Sequence, residues 1–133
     1  MNVASLAAPK RGVYGCVMIT LHGIPNCDTV KKARAWLDAN GVDYRFHDFK
    51  KLGAPAMLIE RWADAVGWET LLNRRGTTFR ALADADKADM DRVKAVRLME
   101  ASPSLIKRPV VEDGEGKVTI GFSEPVFALN WGP

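Results

Sequence analysis

Two periodicities alternate along this chain, and the switches between them mark its elements. Met18–Leu21 is a short run of β-type residues, closed by Gly23 and Pro25. From about Asp28 to Asn40 the apolar residues Val30, Ala33 and Leu37 fall at i, i+3 and i+7, one face of a helix. Asn40-Gly41 then offers a C-cap, since glycine accepts positive φ. Asp43–Phe49 returns to period two, with Tyr44 and Phe46 against Arg45 and His47, so a second strand with one buried face is predicted. Strand, helix and strand of these lengths make a βαβ unit with parallel strands.

The middle of the chain reads as helical. Lys50–Pro55 is a break. Ala56–Val66 places Leu58, Ile59, Trp62 and Val66 on one side and ends at Gly67. Trp68–Leu72 is a short helical turn, Asn73–Thr78 a polar loop and Phe79–Ala83 another short helix. Asp84–Ala101 reads as one longer helix. Met90, Val93, Val96 and Leu98 follow helical spacing, and Asp84, Asp86 and Asp89 crowd the end where the helix dipole favours negative charge. Ser102-Pro103 stops it. Trp36, Trp62 and Trp68 sit at helix-compatible positions and read as packing residues.

Strand signals return at Val110–Glu112. Asp113–Gly116 is a hairpin turn, and Lys117–Gly121 is the antiparallel mate. Glu124–Asn130 is a last helix with Val126, Phe127 and Leu129 turned inward. With the middle removed, the order is βαβ–ββα. That is an α/β, thioredoxin-like fold: a mixed four-stranded sheet with a helical insertion at about 52–104 between its halves.

Composition narrows the function classes. The 133 residues fit one domain, over 18–133, and 47% hydrophobic content suffices for an ordinary core. Lys and Arg number 19 against 16 Asp and Glu, a net +3 with no long basic tract, so nucleic acid is not an expected partner. No apolar run reaches the ~18 residues of a membrane helix. Residues 1–17 read as a flexible N-terminal extension, because Pro9-Lys10-Arg11 follows the mildly apolar start, the reverse of a signal peptide. Two cysteines, Cys16 and Cys27, are too few for a disulfide framework, so a reducing cytoplasm is expected. No metal site is expected, because His22 and His47 stand apart from other ligand types. A monomer is expected, and no bound cofactor.

Cys27 carries the chemistry. It sits where a tight loop becomes a helix, and free backbone N–H groups and the positive end of the helix dipole favour a thiolate there. Lys31 and Lys32 add positive charge one turn on; Asp28 opposes it. Asn26 and the N–H groups of Asp28 and Thr29 are candidates to stabilise negative charge. In a thioredoxin-like fold Pro109, just before the third strand, would be cis and face Cys27. Its neighbour Arg108 and, from the insertion, Arg75 are candidate anion ligands, because a guanidinium offers paired hydrogen bonds. Val30 stands where a Cys-X-X-Cys motif would place its second thiol, so Cys27 needs an external thiol such as glutathione or glutaredoxin, or else Cys16. His22 is expected to end the first strand and to be satisfied locally.

The segments Met18–Ala33, Asn73–Thr78 and Ile106–Val111 together resemble the arsenate-reductase-like family (ArsC/Spx/YffB). Gly23–Thr29 and Arg74–Thr78 are most similar to its YffB-like branch of glutathione-dependent thiol reductases. The resemblance runs from Met18 to nearly the end of the chain. It implies a thioredoxin fold with a helical insertion, Cys27 as nucleophile, and Arg108 as ligand for an oxyanion or thiol substrate. Glutathione, with or without glutaredoxin, would be the reductant, and a thiol, mixed disulfide or arsenate the substrate. The arginine that glutathione-linked arsenate reductases carry after the hairpin has no counterpart at Gly121-Phe122-Ser123. The alternative is a non-catalytic, Spx-like module that binds RNA polymerase.

Overall fold

The structure is a computed structural model and describes residues 18–133. The expected extension over 1–17, and Cys16 with it, lies outside the described residues. The chain opens with β1 (Ile19–Gly23), α1 (Asp28–Ala39) and β2 (Tyr44–Asp48). Six helices follow: α2 (Phe49–Leu52), α3 (Ala56–Val66), α4 (Trp68–Leu71), α5 (Thr77–Arg80), α6 (Asp84–Lys87) and α7 (Arg92–Ala101). It closes with β3 (Val110–Glu112), β4 (Val118–Ile120) and α8 (Glu124–Trp131). Two compact units result, one from residues 18–48 with Arg108–Pro133, the other from Phe49–Lys107.

The first unit is a four-stranded mixed sheet in the order β2-β1-β3-β4. β1 and β2 run parallel, as a βαβ crossover requires, and the β1–β3 and β3–β4 pairs are antiparallel. Alternation along β1 sends Ile19 and Leu21 into a cluster with Val111, with Val30, Ala33 and Leu37 of α1, and with Phe127 and Trp131 of α8. The three α1 residues are those its 3.6-residue spacing selects.

The last helix turns a different face inward from the one its sequence suggests. Phe127 and Trp131 are buried, while Leu129 is 84% exposed and Val126 is exposed as well. Two aromatic anchors set the rotation. Phe127 packs edge-on against Trp36 and Phe122, at 5.6 and 4.8 Å between ring centroids. Trp131 donates its Nε1–H to Thr119 Oγ1 at 3.0 Å. Ser123 caps the helix by accepting the Val126 N–H.

In the helical unit, α3 has the predicted bounds and buries Ile59, Trp62 and Ala63. Three expectations change. Lys50–Leu52, read as a break, continues α2 for a turn until Gly53, at φ 80°, ends it. The short helix placed at Phe79–Ala83 begins two residues earlier, at Thr77. Asp84–Ala101 is two helices rather than one. Asp89 adopts φ 49°, and Asp91 caps α7 by accepting the Lys94 N–H at 2.8 Å. The aspartates thus end one helix and start another, as short polar side chains that compete for backbone groups do. The restart changes the phase, so α7 buries Ala95, Val96 and Met99 and leaves Val93 73% exposed. Among the described residues no helix is long and apolar enough to cross a membrane.

Gly23 links fold and site. A Cβ there would stand 2.8 Å from Val30 Cγ2, a fully buried atom group in the first turn of α1. Gly23→Ala is expected to cost about 1–3 kcal/mol of stability through overpacking. Urea denaturation of the two proteins measures it.

Candidate active site

The loop from Gly23 to Cys27 delivers the thiol. Ile24 is buried and anchors the loop, whereas Pro25 and Asn26 are exposed. Cys27 is the N-cap of α1, with extended backbone at φ −139° and ψ 124°. Its carbonyl accepts the first helical hydrogen bond, from the Lys31 N–H at 2.9 Å. The side chain is half-buried against the sheet cluster. It makes no capping hydrogen bond as a thiol, so the orphan N–H groups of the first turn remain available to a negative charge.

The electrostatics are a contest. Burial pushes the Cys27 thiol pKa up. Against it act the backbone N–H of Val30, the hydrogen bond and positive charge of the Arg108 side chain, and the backbone N–H of Thr29. Together they win, and the pKa lies below the ordinary thiol value. Arg108 reaches the thiol from the other end of the fold. It precedes β3 by two residues, and its peptide bond to Pro109 is cis. The buried Pro109 is held in turn by its carbonyl, which accepts the Gly121 N–H at 2.8 Å.

Among the expected site residues, Cys27, Thr29, Arg108 and Pro109 share the sheet unit, and Arg108 and the Thr29 backbone act on the thiol. Asn26 and Asp28 flank it and are exposed. Arg75 belongs to the helical unit, exposed on the loop before α5, where its backbone N–H donates to Asn73 Oδ1 at 3.1 Å. The Val30 N–H was not among the sequence candidates, although the i+3 position from an N-cap is where such a donor falls.

His22 is the larger departure. It lies within β1, 4% exposed, and is not satisfied locally. Its Nε2 stands 2.6 Å from Glu112 Oε2, ninety positions away in sequence. Its Nδ1 stands 2.8 Å from His47 Nδ1 on β2. Among the described residues no group of three or more His, Cys, Asp or Glu is arranged to hold a metal ion.

Comparison with known proteins matches the chain to the ArsC family over residues 22–128. A solved YffB protein is 49% identical, superposes with a TM-score of 0.82, and aligns over 86% of this chain and 99% of its own. A Brucella melitensis protein described as related to arsenate reductase is 46% identical with a TM-score of 0.70, over 87% of this chain and 96% of its own. The global transcriptional regulator Spx of Streptococcus mutans is 30% identical over 80% of this chain and 78% of its own.

The thiol electrostatics carry a signed expectation. Alkylation by iodoacetamide follows the thiolate, so its rate rises with pH through the Cys27 pKa, with a midpoint below that of an ordinary thiol. Removing Arg108 deletes a hydrogen bond and a positive charge that both favour the thiolate. Arg108→Ala therefore moves the midpoint to higher pH. Mass-spectrometric alkylation rates in a Cys16→Ser background, where one thiol reports, measure both.

Proposed function

The chain belongs to the ArsC family, and from that premise we propose that it is a monothiol oxidoreductase that uses Cys27 as nucleophile and glutathione as reductant. The family and the arsenate-reductase-related neighbours support thiol oxidoreductase chemistry. The observation that carries the reading is the half-buried Cys27, favoured as thiolate by Arg108 and by the start of α1. The finer assignment, to mixed disulfides, rests on chemistry available to a single thiol. Cys27 is the one cysteine among the described residues.

The cycle needs no second protein thiol. The Cys27 thiolate attacks the glutathione sulfur of a mixed disulfide; the S–S bond breaks and the substrate leaves as a thiolate. The new Cys27–glutathione disulfide is attacked by a second glutathione thiolate, which releases Cys27 and forms glutathione disulfide. The net exchange is one mixed disulfide and one glutathione for a free thiol and one oxidised glutathione. Arg108 would hold negative charge on the substrate. Asn26 and the N–H groups of Asp28 and Thr29 would serve the anion at the helix start. Pro109 would shape the opposite wall. Glutaredoxin is a candidate auxiliary reductant, and a cytoplasm rich in glutathione suits the reaction. Arsenate is a weaker substrate candidate, because a hairpin arginine that glutathione-linked arsenate reductases carry has no counterpart at Gly121-Phe122-Ser123.

The relationship to Spx favours one second reading, a non-catalytic module docking on RNA polymerase. Turnover separates the two. Wild type is expected to reduce a glutathione mixed disulfide, with oxidised glutathione followed through glutathione reductase and NADPH. Cys27→Ser is expected to lose at least 10²-fold in rate, as removal of a nucleophile does, with its circular dichroism unchanged. Equal rates in the two proteins would end the reductase reading. Silence of wild type with mixed disulfide and arsenate, together with co-purification of polymerase subunits, would favour the docking module.

A further inference from the structure

Two cations, Lys31 and Lys32, follow Cys27 by one helical turn, and both are exposed. The side chain that acts on the thiol is neither of them but Arg108. Several cations elsewhere are engaged by the fold. Lys87, Lys94 and Lys117 donate to backbone carbonyls, and Arg92 is held between Glu60 and Asp64. Among the described residues Lys31 and Lys32 make no hydrogen bond or ion pair through their side chains. Asp28 precedes Lys31 by three positions, close enough for an ion pair along the helix, and none forms.

Helical spacing separates the two lysines. At 3.6 residues per turn, Lys31 lies about 40° around the axis from Cys27, and Lys32 about 140°. The Lys31 N–H donates to the Cys27 carbonyl at 2.9 Å, so the two residues stand one directly after the other along the helix. Helical side chains tilt toward the N-terminus, which leans Lys31 over the turn that begins at Cys27. The next cation in that column, Arg34, is already occupied. Its Nε–H donates to Tyr44 Oη at 3.0 Å, and its guanidinium lies 4.1 Å from the centre of the Phe46 ring. Lys31 is therefore the unengaged cation on the Cys27 side of α1, with the buried face of Val30, Ala33 and Leu37 fixing the helix beneath it.

A disulfide attacked by Cys27 presents its sulfurs to the thiol and to Arg108. Glutathione also carries two carboxylates several bonds from its sulfur, and these need a cation displaced from the thiol. A lysine ammonium on a flexible four-carbon stem is suited to that task. We propose that Lys31 is a specificity-determining residue that receives a glutathione carboxylate, so that Cys27 reacts preferentially with disulfides bearing negative charge. This rests on the reading above in taking Cys27 as nucleophile and glutathione as its partner thiol.

The test follows a single exchange rather than turnover. Reduced Cys16→Ser chain is mixed with oxidised glutathione. The Cys27 thiolate attacks one sulfur, the S–S bond breaks, and one glutathione thiolate leaves as the Cys27–glutathione disulfide forms. Mass spectrometry times the adduct. Neutral hydroxyethyl disulfide is the reference, and the ratio of the two rates cancels any change in Cys27 ionisation. Lys31→Gln is expected to lower the ratio about threefold, and Lys31→Glu, which replaces attraction by repulsion, about tenfold. Lys31→Arg is expected to keep the ratio within about twofold. Lys32→Glu makes the same change of charge on another side of the helix and is expected to lower the ratio by less than about twofold. A ratio unmoved by Lys31→Glu would overturn the proposal, and so would an equal fall in Lys32→Glu, which marks a general field and not a contact. Steady turnover of mixed disulfide with an unmoved ratio defeats this proposal alone. A ratio that depends on Lys31 in a chain that does not turn over supports it and defeats the reductase reading. A Cys27 that takes up neither disulfide overturns both.

Discussion

A thiolate half-withdrawn from water must be met by positive charge, and the sheet unit is arranged to supply it. Burial alone would raise the Cys27 pKa and quench its reactivity. The compensation comes from two sources of different kind. The N–H groups of Thr29 and Val30 are local, a consequence of beginning a helix at residue 28. The Arg108 guanidinium is distant in sequence and arrives through strand pairing. Neither is a mobile surface charge, so salt should screen them less than it would a surface ion pair.

The fold explains why both can be present at once. α1 is pinned by Val30, Ala33 and Leu37 against Ile19 and Leu21, which fixes the start of the helix above the end of β1. β3 lies beside β1 and runs the other way, so the residues leading into β3 return toward the end of β1 that feeds Cys27. The helix start and the segment before β3 therefore meet at one end of the two central strands. A strand of only three residues delivers Arg108, so the interactions of its neighbours matter more than they would for a long strand.

The aromatic packing beneath α8 shows the same dependence of orientation on distant contacts. Val126 and Leu129 are as apolar as many core residues, yet both face outward. Phe127 finds Trp36 and Phe122, and Trp131 finds Thr119; an eight-residue helix has no room to bury both sets. The aspartates at 84–91 are a related case. Their charge suits a helix start, and the chain contains two such starts where the pattern suggested one.

What the sequence determined by itself is what local spacing encodes. It set the βαβ–ββα order, the face of α1, the bounds of α3 and the placing of Cys27 at a helix start, because each depends on residues within a turn or two of one another. Arg108 beside Pro109 was legible as a candidate for the same reason of position in that order. The tertiary structure decided the rest: the rotation of α8, the restart at α7, and the bonding of His22 to Glu112 and His47. These depend on which strands become neighbours and in what register. A histidine in a short strand has the same local surroundings in sequence whether its partner is one residue or ninety away, so only the folded sheet could choose.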